Sequence, residues 1–256
     1  MKRASLIPAP ALAVLALLTA SPLTGPAMAQ TYAERGFCPG VLEIGVEPQI
    51  TLMRVAGDQL RVNFILERDK NRPKCPDLSE ACRRRGFVVP GDEVVVTELS
   101  MGLACVTYVA PNVRKVKGQF PETNGFLPAS ALVPVSLPPA RLEDWVGQWS
   151  RNAEAEISIT RGRSGKLVIK GEATFGALDP DRVKRGAINL GELDAEVAPK
   201  GNRLFFGEGY KGETFPEDAG ECQARLQLLG RFLLVEDSGG CGGMNVRFTG
   251  VYVRLK

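Results

Sequence analysis

Short runs of alternating hydrophobic and polar residues make up most of this chain, separated by glycine, proline, asparagine and aspartate. A period of two indicates strands with one buried face, whereas the helical period of 3.6 is almost absent. In the first half the pattern predicts one short helix, over 77–85. It predicts strands at 41–46, 50–55, 60–66, 94–98, 104–109 and 125–128.

The second half has the pattern of an antiparallel meander. Its predicted strands are 146–150, 155–161, 166–173, 187–197, 203–209, 223–229, 231–236 and 246–255. Three prolines in VPVSLPPA, residues 133–140, disfavour helix and sheet interior and predict a linker over 136–142. We therefore predict an all-β protein with two domains. Residues 30–135 form a small barrel with an N-terminal strand extension, and residues 143–256 close into a small β-barrel or sandwich.

The first 29 residues have the features of a secretory signal peptide. Lys2 and Arg3 precede an apolar run over 11–20, and Ala27-Met28-Ala29 forms a small-x-small cleavage signal. The run is well short of the roughly 20 residues that span a bilayer, and no later segment is longer. We expect cleavage after Ala29 and a periplasmic or secreted protein that does not span the membrane.

Cysteine usage indicates three disulfide bonds. An even number of cysteines in an exported protein is typical of disulfides, and the chain has neither a C-x-x-C motif nor a histidine for a zinc site. Cys222 and Cys241 are close together and are expected to pair. The other four allow three connectivities, of which we favour Cys82–Cys105 and Cys38–Cys75. The cysteines are Cys38, Cys75, Cys82, Cys105, Cys222 and Cys241.

Charge and side-chain chemistry exclude several functions. Without Lys2 and Arg3 the formal net charge falls from +3 to +1, which gives no field to attract nucleic acid. Because histidine is absent, no Ser–His or Cys–His couple exists, and Ser164 and Lys166 lie in a predicted hairpin turn. We predict no enzymatic activity, no cofactor and no metal.

Two charged clusters have alternative interpretations. Glu192, Asp194 and Glu196 alternate with apolar residues and therefore share one face of a strand. We favour a solvated face; the alternative is a cation or acid–base site. The densest basic run is Arg83-Arg84-Arg85, which is either a solvated helix end, again favoured, or a contact for an anionic envelope polymer.

Residues 82–133 resemble a bacterial SH3-like domain of exported proteins. The resemblance rests on VPGDEVVV at 89–96, ACVTYV at 104–109 and NGFLPASAL at 124–132. Gly91 permits the tight turn and Asp92 caps it. The resemblance implies a small barrel with an aromatic-lined groove, for which Tyr108 and Phe126 are the predicted ligand-binding residues. The alternative for both, which we favour, is packing in the core. Two aromatic positions of the family pattern differ, because Leu103 and Phe126 stand where tryptophan is usual.

Residues 145–254 resemble an uncharacterised secreted proteobacterial domain. The match is carried by Gly147-Gln148-Trp149 and by CGGMNVRFTGVYVR at 241–254. The Gly-x-Trp opening is also similar to lipocalins and avidins, and periplasmic lysozyme inhibitors are likewise small β-barrels with one disulfide. We expect Trp149 to plug a barrel end and Trp145 to pack between the two domains.

These observations predict a non-enzymatic exported envelope protein. Its SH3-like module would contact peptidoglycan or a periplasmic protein, and its C-terminal domain would bind a further ligand or protein. One alternative is an inhibitor of lysozyme-type cell-wall hydrolases. Another is a small-molecule carrier that uses the barrel interior.

Overall fold

A computed structural model describes residues 30–41, 44–45, 50–57, 59–110, 122–208, 215 and 221–255. The chain divides into residues 1–30 and a compact unit of residues 31–256, which contains every strand described below. The predicted signal segment lies outside the described residues, as do residues 42, 43 and 46 of the strand predicted at 41–46. None of the helices in the described part is both long and apolar enough to cross a membrane.

The first sheet has seven antiparallel strands and curls into a half-barrel. They are β1 Thr51–Val55, β2 Val62–Ile65, β3 Arg83–Val88, β4 Glu93–Ser100, β5 Leu103–Val109, β6 Glu122–Pro128 and β7 Leu132–Pro134. Their order in the sheet is β3-β2-β6-β5-β4-β1-β7. A short helix precedes the sheet, α1 Tyr32–Arg35, and single 3-10 turns lie at Glu80–Cys82 and Ala129–Ala131.

The second sheet has eight antiparallel strands and is nearly closed into a barrel, which confirms the all-β prediction. They are β8 Gly147–Asn152, β9 Ala155–Arg161, β10 Leu167–Phe175, β11 Asn189–Val197, β12 Arg203–Phe206, β13 Ala224–Leu229, β14 Phe232–Asp237 and β15 Gly250–Arg254. Their order is β11-β10-β9-β8-β15-β14-β13-β12. Two short helices are α2 Leu142–Trp145 and α3 Pro180–Lys184.

The glycine-rich loop that follows β14 pairs with β11 at the open seam between β11 and β12. The N–H of Glu192 donates to the carbonyl of Cys241 at 3.0 Å, and the N–H of Gly243 donates to that of Leu190 at 2.9 Å. A Cβ on Gly191 would lie 2.7 Å from the Cys241 oxygen, so only glycine permits this approach.

The helix predicted at 77–85 is wrong. These residues form one 3-10 turn, Glu80–Cys82, and then enter β3, which pairs with β2. Arginine favours helices intrinsically, but pairing with a neighbouring strand overrides a weak local preference. Strand β7 was also not predicted, because its proline and its three-residue length suggest a linker.

Three disulfides are present, as predicted, and Cys222–Cys241 is one of them. The favoured pairing of the other four cysteines is wrong, because the bonds are Cys38–Cys105 and Cys75–Cys82. All four of these cysteines lie in one buried cluster with Phe126, so several pairings were compatible with the strand pattern. Three disulfides fit an oxidising compartment.

The barrel interior is filled by side chains. Trp145, Trp149, Phe248 and Tyr252 are all at most 1% exposed. They belong to one cluster that contains residues from every strand of the second sheet. Trp149 therefore lies inside the barrel as expected. The prediction that Trp145 packs between the domains is wrong, because Trp145 belongs to this interior cluster.

A third cluster joins the two sheets. Leu52 and Val95 are register partners on the first sheet, and they pack with Phe232 and Leu234 of β14 and Val251 of β15. Their neighbours along each strand point the other way, into the separate interior of their own sheet. Strand β14 is therefore buried on both faces.

Polar contacts cross the same interface. The Arg231 guanidinium lies 3.3 Å from the Glu93 carboxylate and donates to the Val109 carbonyl at 3.0 Å. Arg225 and Glu236 form a buried ion pair at 2.7 Å, and Glu236 also accepts the N–H of Ile44 at 2.6 Å. A buried pair needs such additional hydrogen bonds to offset its desolvation.

We predict different stability losses on removing the two N-terminal disulfides. Cys38–Cys105 closes a sequence separation of 67 and Cys75–Cys82 one of 7. In the chain-entropy model their removal costs about 4 and about 2 kcal/mol. Urea unfolding of the double-serine variants measures both losses, and non-reducing peptide mapping checks the pairing. Equal losses, or a mapped Cys38–Cys75 bond, would contradict this assignment.

The shared interface predicts that both sheets unfold together. Replacing Phe232 with alanine should lower the free energy of unfolding by about 3–5 kcal/mol, because it leaves a cavity between the sheets. Hydrogen exchange should then accelerate at β4 and β5 as well as at β14. Leu226→Ala, inside the barrel, is the matched core control. Unchanged protection at β4 and β5 in the Phe232 variant would show that the sheets unfold separately.

Tyr252 predicts a loss of stability at alkaline pH. Its hydroxyl donates to the Phe248 carbonyl at 2.8 Å, and burial raises its pKa far above the usual value, although the charge of Arg151 opposes this. The unfolded chain releases this proton near pH 10, so the stabilisation is complete below about pH 10 and falls above it. Tyr252→Phe should lose about 1–3 kcal/mol at pH 7 and show a shallower alkaline decline. Urea unfolding midpoints of both proteins between pH 7 and 11 measure the loss at pH 7 and the alkaline decline. Equal slopes of decline in the two proteins would contradict the role of Tyr252.

Candidate functional site

The two predicted groove residues lie on opposite faces of the first sheet. Tyr108 pairs with Thr123 and Phe126 pairs with Cys105 between β5 and β6. Because paired residues share a face and the faces alternate, Tyr108 and Phe126 point in opposite directions. The structure therefore does not bring them together in one groove.

Tyr108 is half-buried at the edge of the half-barrel interior. Burial raises the pKa of its hydroxyl, and the neighbouring Asp92 carboxylate raises it further. Asp92 also accepts the N–H of Val89 at 2.9 Å, and Gly91 has a φ of 89°. The turn and its cap are therefore formed as predicted.

Phe126 is 1% exposed and packs in the cluster that holds the two N-terminal disulfides. The segment from α1 to Cys38 covers this cluster, and Cys38 is bonded to Cys105 beside Phe126. Phe126 therefore supports the fold of this face and presents no surface to a ligand.

An exposed basic surface lies instead on the β2–β3 hairpin. We call Arg61, Asn63, Arg83, Arg85 and Phe87 the basic face. Asn63 pairs with Phe87 and Ile65 with Arg83, with a register shift between the two pairs. Arg61, Asn63, Arg83 and Arg85 line one shallow pocket on this hairpin, together with Glu80 and Arg84. Strand β3 is the last in the sheet order and is exposed over five of its six residues.

The arginines of the basic face are weakly engaged. Arg83 lies 3.2 Å from Glu80, but the two side chains are 55% and 87% exposed, and such pairs contribute at most about 1 kcal/mol. Among the described residues, no carboxylate lies within ion-pair distance of Arg61 or Arg85. The Arg61 guanidinium lies 5.4 Å from the centre of the Phe87 ring, which is itself 47% exposed.

The sequence indicated only part of this surface. The arginine run was singled out, but as a helix end, whereas it lies on an edge strand. Arg61, Asn63 and Phe87 were not predicted. The signal for them is the alternation Arg83-x-Arg85-x-Phe87, which has the period of a strand.

The other predicted clusters keep their structural interpretations. Glu192, Asp194 and Glu196 are exposed on one face of β11, as predicted. Within the described part of the chain, no group of acidic or cysteine side chains is arranged to hold a metal ion.

Ser164 lies in the turn between β9 and β10 with a φ of 53°, and the N–H of Gly162 donates to the Lys166 carbonyl at 2.9 Å. This is the predicted hairpin turn.

Comparison with known proteins adds no family. No protein-family model, no curated protein and no solved structure matches the chain.

Proposed function

We propose that this chain is a non-enzymatic protein of the bacterial envelope that contacts peptidoglycan through its basic face. The observation that supports this most directly is the set of three arginines beside an exposed phenylalanine on the β2–β3 hairpin. The signal segment expected over 1–29 and the three disulfides favour an exported protein.

The topology of the first sheet supports the SH3-like interpretation. Five strands follow each other in the order β7-β1-β4-β5-β6. The β2–β3 hairpin comes between β1 and β4 in the chain, but in the sheet it extends the edge beyond β6. One 3-10 turn, Ala129–Ala131, precedes the last strand. A small, strongly curled antiparallel sheet is what the resemblance of residues 82–133 implies.

The chemistry of the basic face fits a carboxylate-bearing polymer. Peptidoglycan presents sugar rings and short peptides with free carboxylates. Arginine binds carboxylates in a bidentate geometry, and it is less strongly hydrated than lysine. Exposed Phe87 adds an apolar surface between the charges. Each contact is weak by itself, so binding would depend on several contacts along the polymer.

The filled barrel interior argues against the carrier alternative. Trp149, Phe248 and Tyr252 occupy the space that a ligand would need. The inhibitor alternative stays a prediction from the sequence, because no described contact favours it.

Co-sedimentation with purified peptidoglycan tests the proposal. The chain from Gln30 onward should pellet at low ionic strength and be released by salt, because exposed charges are screened. The double variant Arg83→Glu with Arg85→Glu should bind roughly tenfold less, since two attractions become repulsions. A matched control is Arg163→Glu with Lys166→Glu, which changes the charge equally in the β9–β10 turn.

Thermal unfolding should be the same for both double variants, because all four side chains are exposed. Peptidoglycan binding by the Arg83/Arg85 variant equal to that of the control would contradict the proposal. Absence of any pelleting by the unmodified chain would contradict it as well.

A further inference from the structure

We propose that a groove between the proline segment and one end of the second sheet binds a small amphiphilic carboxylate. The groove encloses about 980 Å³, which is within the usual range for small-molecule sites. Its apolar lining includes Leu137, Pro138, Pro139, Leu228 and the edge of Trp149. Three arginines also line it, Arg141, Arg231 and Arg254.

Packing between the two sheets fixes the walls of this groove. Leu137 belongs to the cluster that joins the sheets, and the N–H of Val135 donates to the Leu52 carbonyl at 3.0 Å. On the opposite side, Gly230 has a φ of 62°, and a Cβ there would lie 2.9 Å from Leu52. A groove held in this way needs little ordering when a ligand binds.

The charges of the groove leave a net positive site. Arg141 forms two contacts with the Asp144 carboxylate, at 3.3 and 3.1 Å. Arg231 pairs with Glu93, which Arg54 also contacts at 3.0 Å. Three arginines line the groove, and two carboxylates, Asp144 and Glu93, pair with Arg141 and Arg231, so one positive charge is in excess.

That charge is located at Arg254. Its guanidinium lies over the Trp149 ring, 4.7 Å from the ring centre, and donates to the main-chain carbonyl of Asp144. Among the described residues, no carboxylate side chain lies within ion-pair distance of it. At longer range, hydrogen bonds from Arg141 lower the pKa of the Asp144 carboxyl, and the charge of Arg254 lowers it further. A guanidinium fixed beside an apolar surface favours one anionic group with an apolar body.

A monoanion fits this balance better than a phosphate. One carboxylate neutralises the remaining charge at Arg254, whereas a dianion would also compete with Asp144 and Glu93 for their arginines. The apolar body of the ligand would lie along Leu137, Pro138 and Pro139, where it replaces water on a partly exposed apolar surface. The ligand class is therefore an aliphatic or aromatic monocarboxylate.

Intrinsic fluorescence gives a direct test, because the chain has only two tryptophans, Trp145 and Trp149. Octanoate should change the tryptophan emission of the unmodified chain in a saturable titration. Octanamide has the same apolar body without the charge and should bind at least tenfold more weakly. Acetate has the charge without the body and should produce no saturable change.

Variants locate the site. Arg254→Gln should weaken octanoate binding roughly tenfold, since it replaces a charge-assisted contact with a neutral one. Because this change also alters the surroundings of Trp149, calorimetry should accompany fluorescence. Arg163→Gln, in the exposed β9–β10 turn, should bind octanoate like the unmodified chain. Equal affinity for octanoate and octanamide, unchanged binding by Arg254→Gln, or the absence of saturable octanoate binding would each overturn the proposal.

Discussion

Burial of β14 on both faces is the constraint on which the arrangement of this protein depends. Leu233 and Val235 point into the barrel, whereas Phe232 and Leu234 pack against Leu52 and Val95 of the first sheet. An antiparallel sheet usually buries one face only, and a strand that is apolar on both faces needs a second partner. Here the curled first sheet supplies that partner, and both sheets belong to the one compact unit of residues 31–256.

This interface also determines what the surface can present. The proline segment cannot move as a free linker, because Val135 and Leu137 belong to the shared cluster. Arg231 is held beside Glu93, at the border between the sheets. The groove near Trp149 is therefore a consequence of the packing between the sheets. The basic face, in contrast, lies at the opposite edge of the first sheet, where β3 pairs with β2 on one side and has no strand on the other.

The sequence predicts the fold class and most strands, because their alternation reflects one buried face per strand. Prediction from the sequence fails where a local pattern is compatible with more than one structure. Residues 77–85 have good helix formers, and only pairing with β2 makes Arg83–Val88 a strand. Four cysteines meet in one cluster, so their spacing cannot select among pairings. Tyr108 and Phe126 were predicted to share a groove because the family has aromatic residues at these positions. Their register across β5 and β6 places them on opposite faces of the sheet. The residues that lie beside Arg83 and Arg85 could not be predicted, because the sequence does not show which strand pairs with β3.

Edge strands are often charged simply to prevent pairing with other chains. This protection is an alternative role for the basic face. Protection of an edge needs charge of either sign, and lysine or glutamate serves it as well as arginine. It gives no reason for an exposed aromatic ring, which makes an unpaired edge more prone to association. Phe87 is 47% exposed on β3, with the Arg61 guanidinium near its ring. Phe87 is therefore the residue that favours a binding surface over a merely protected edge.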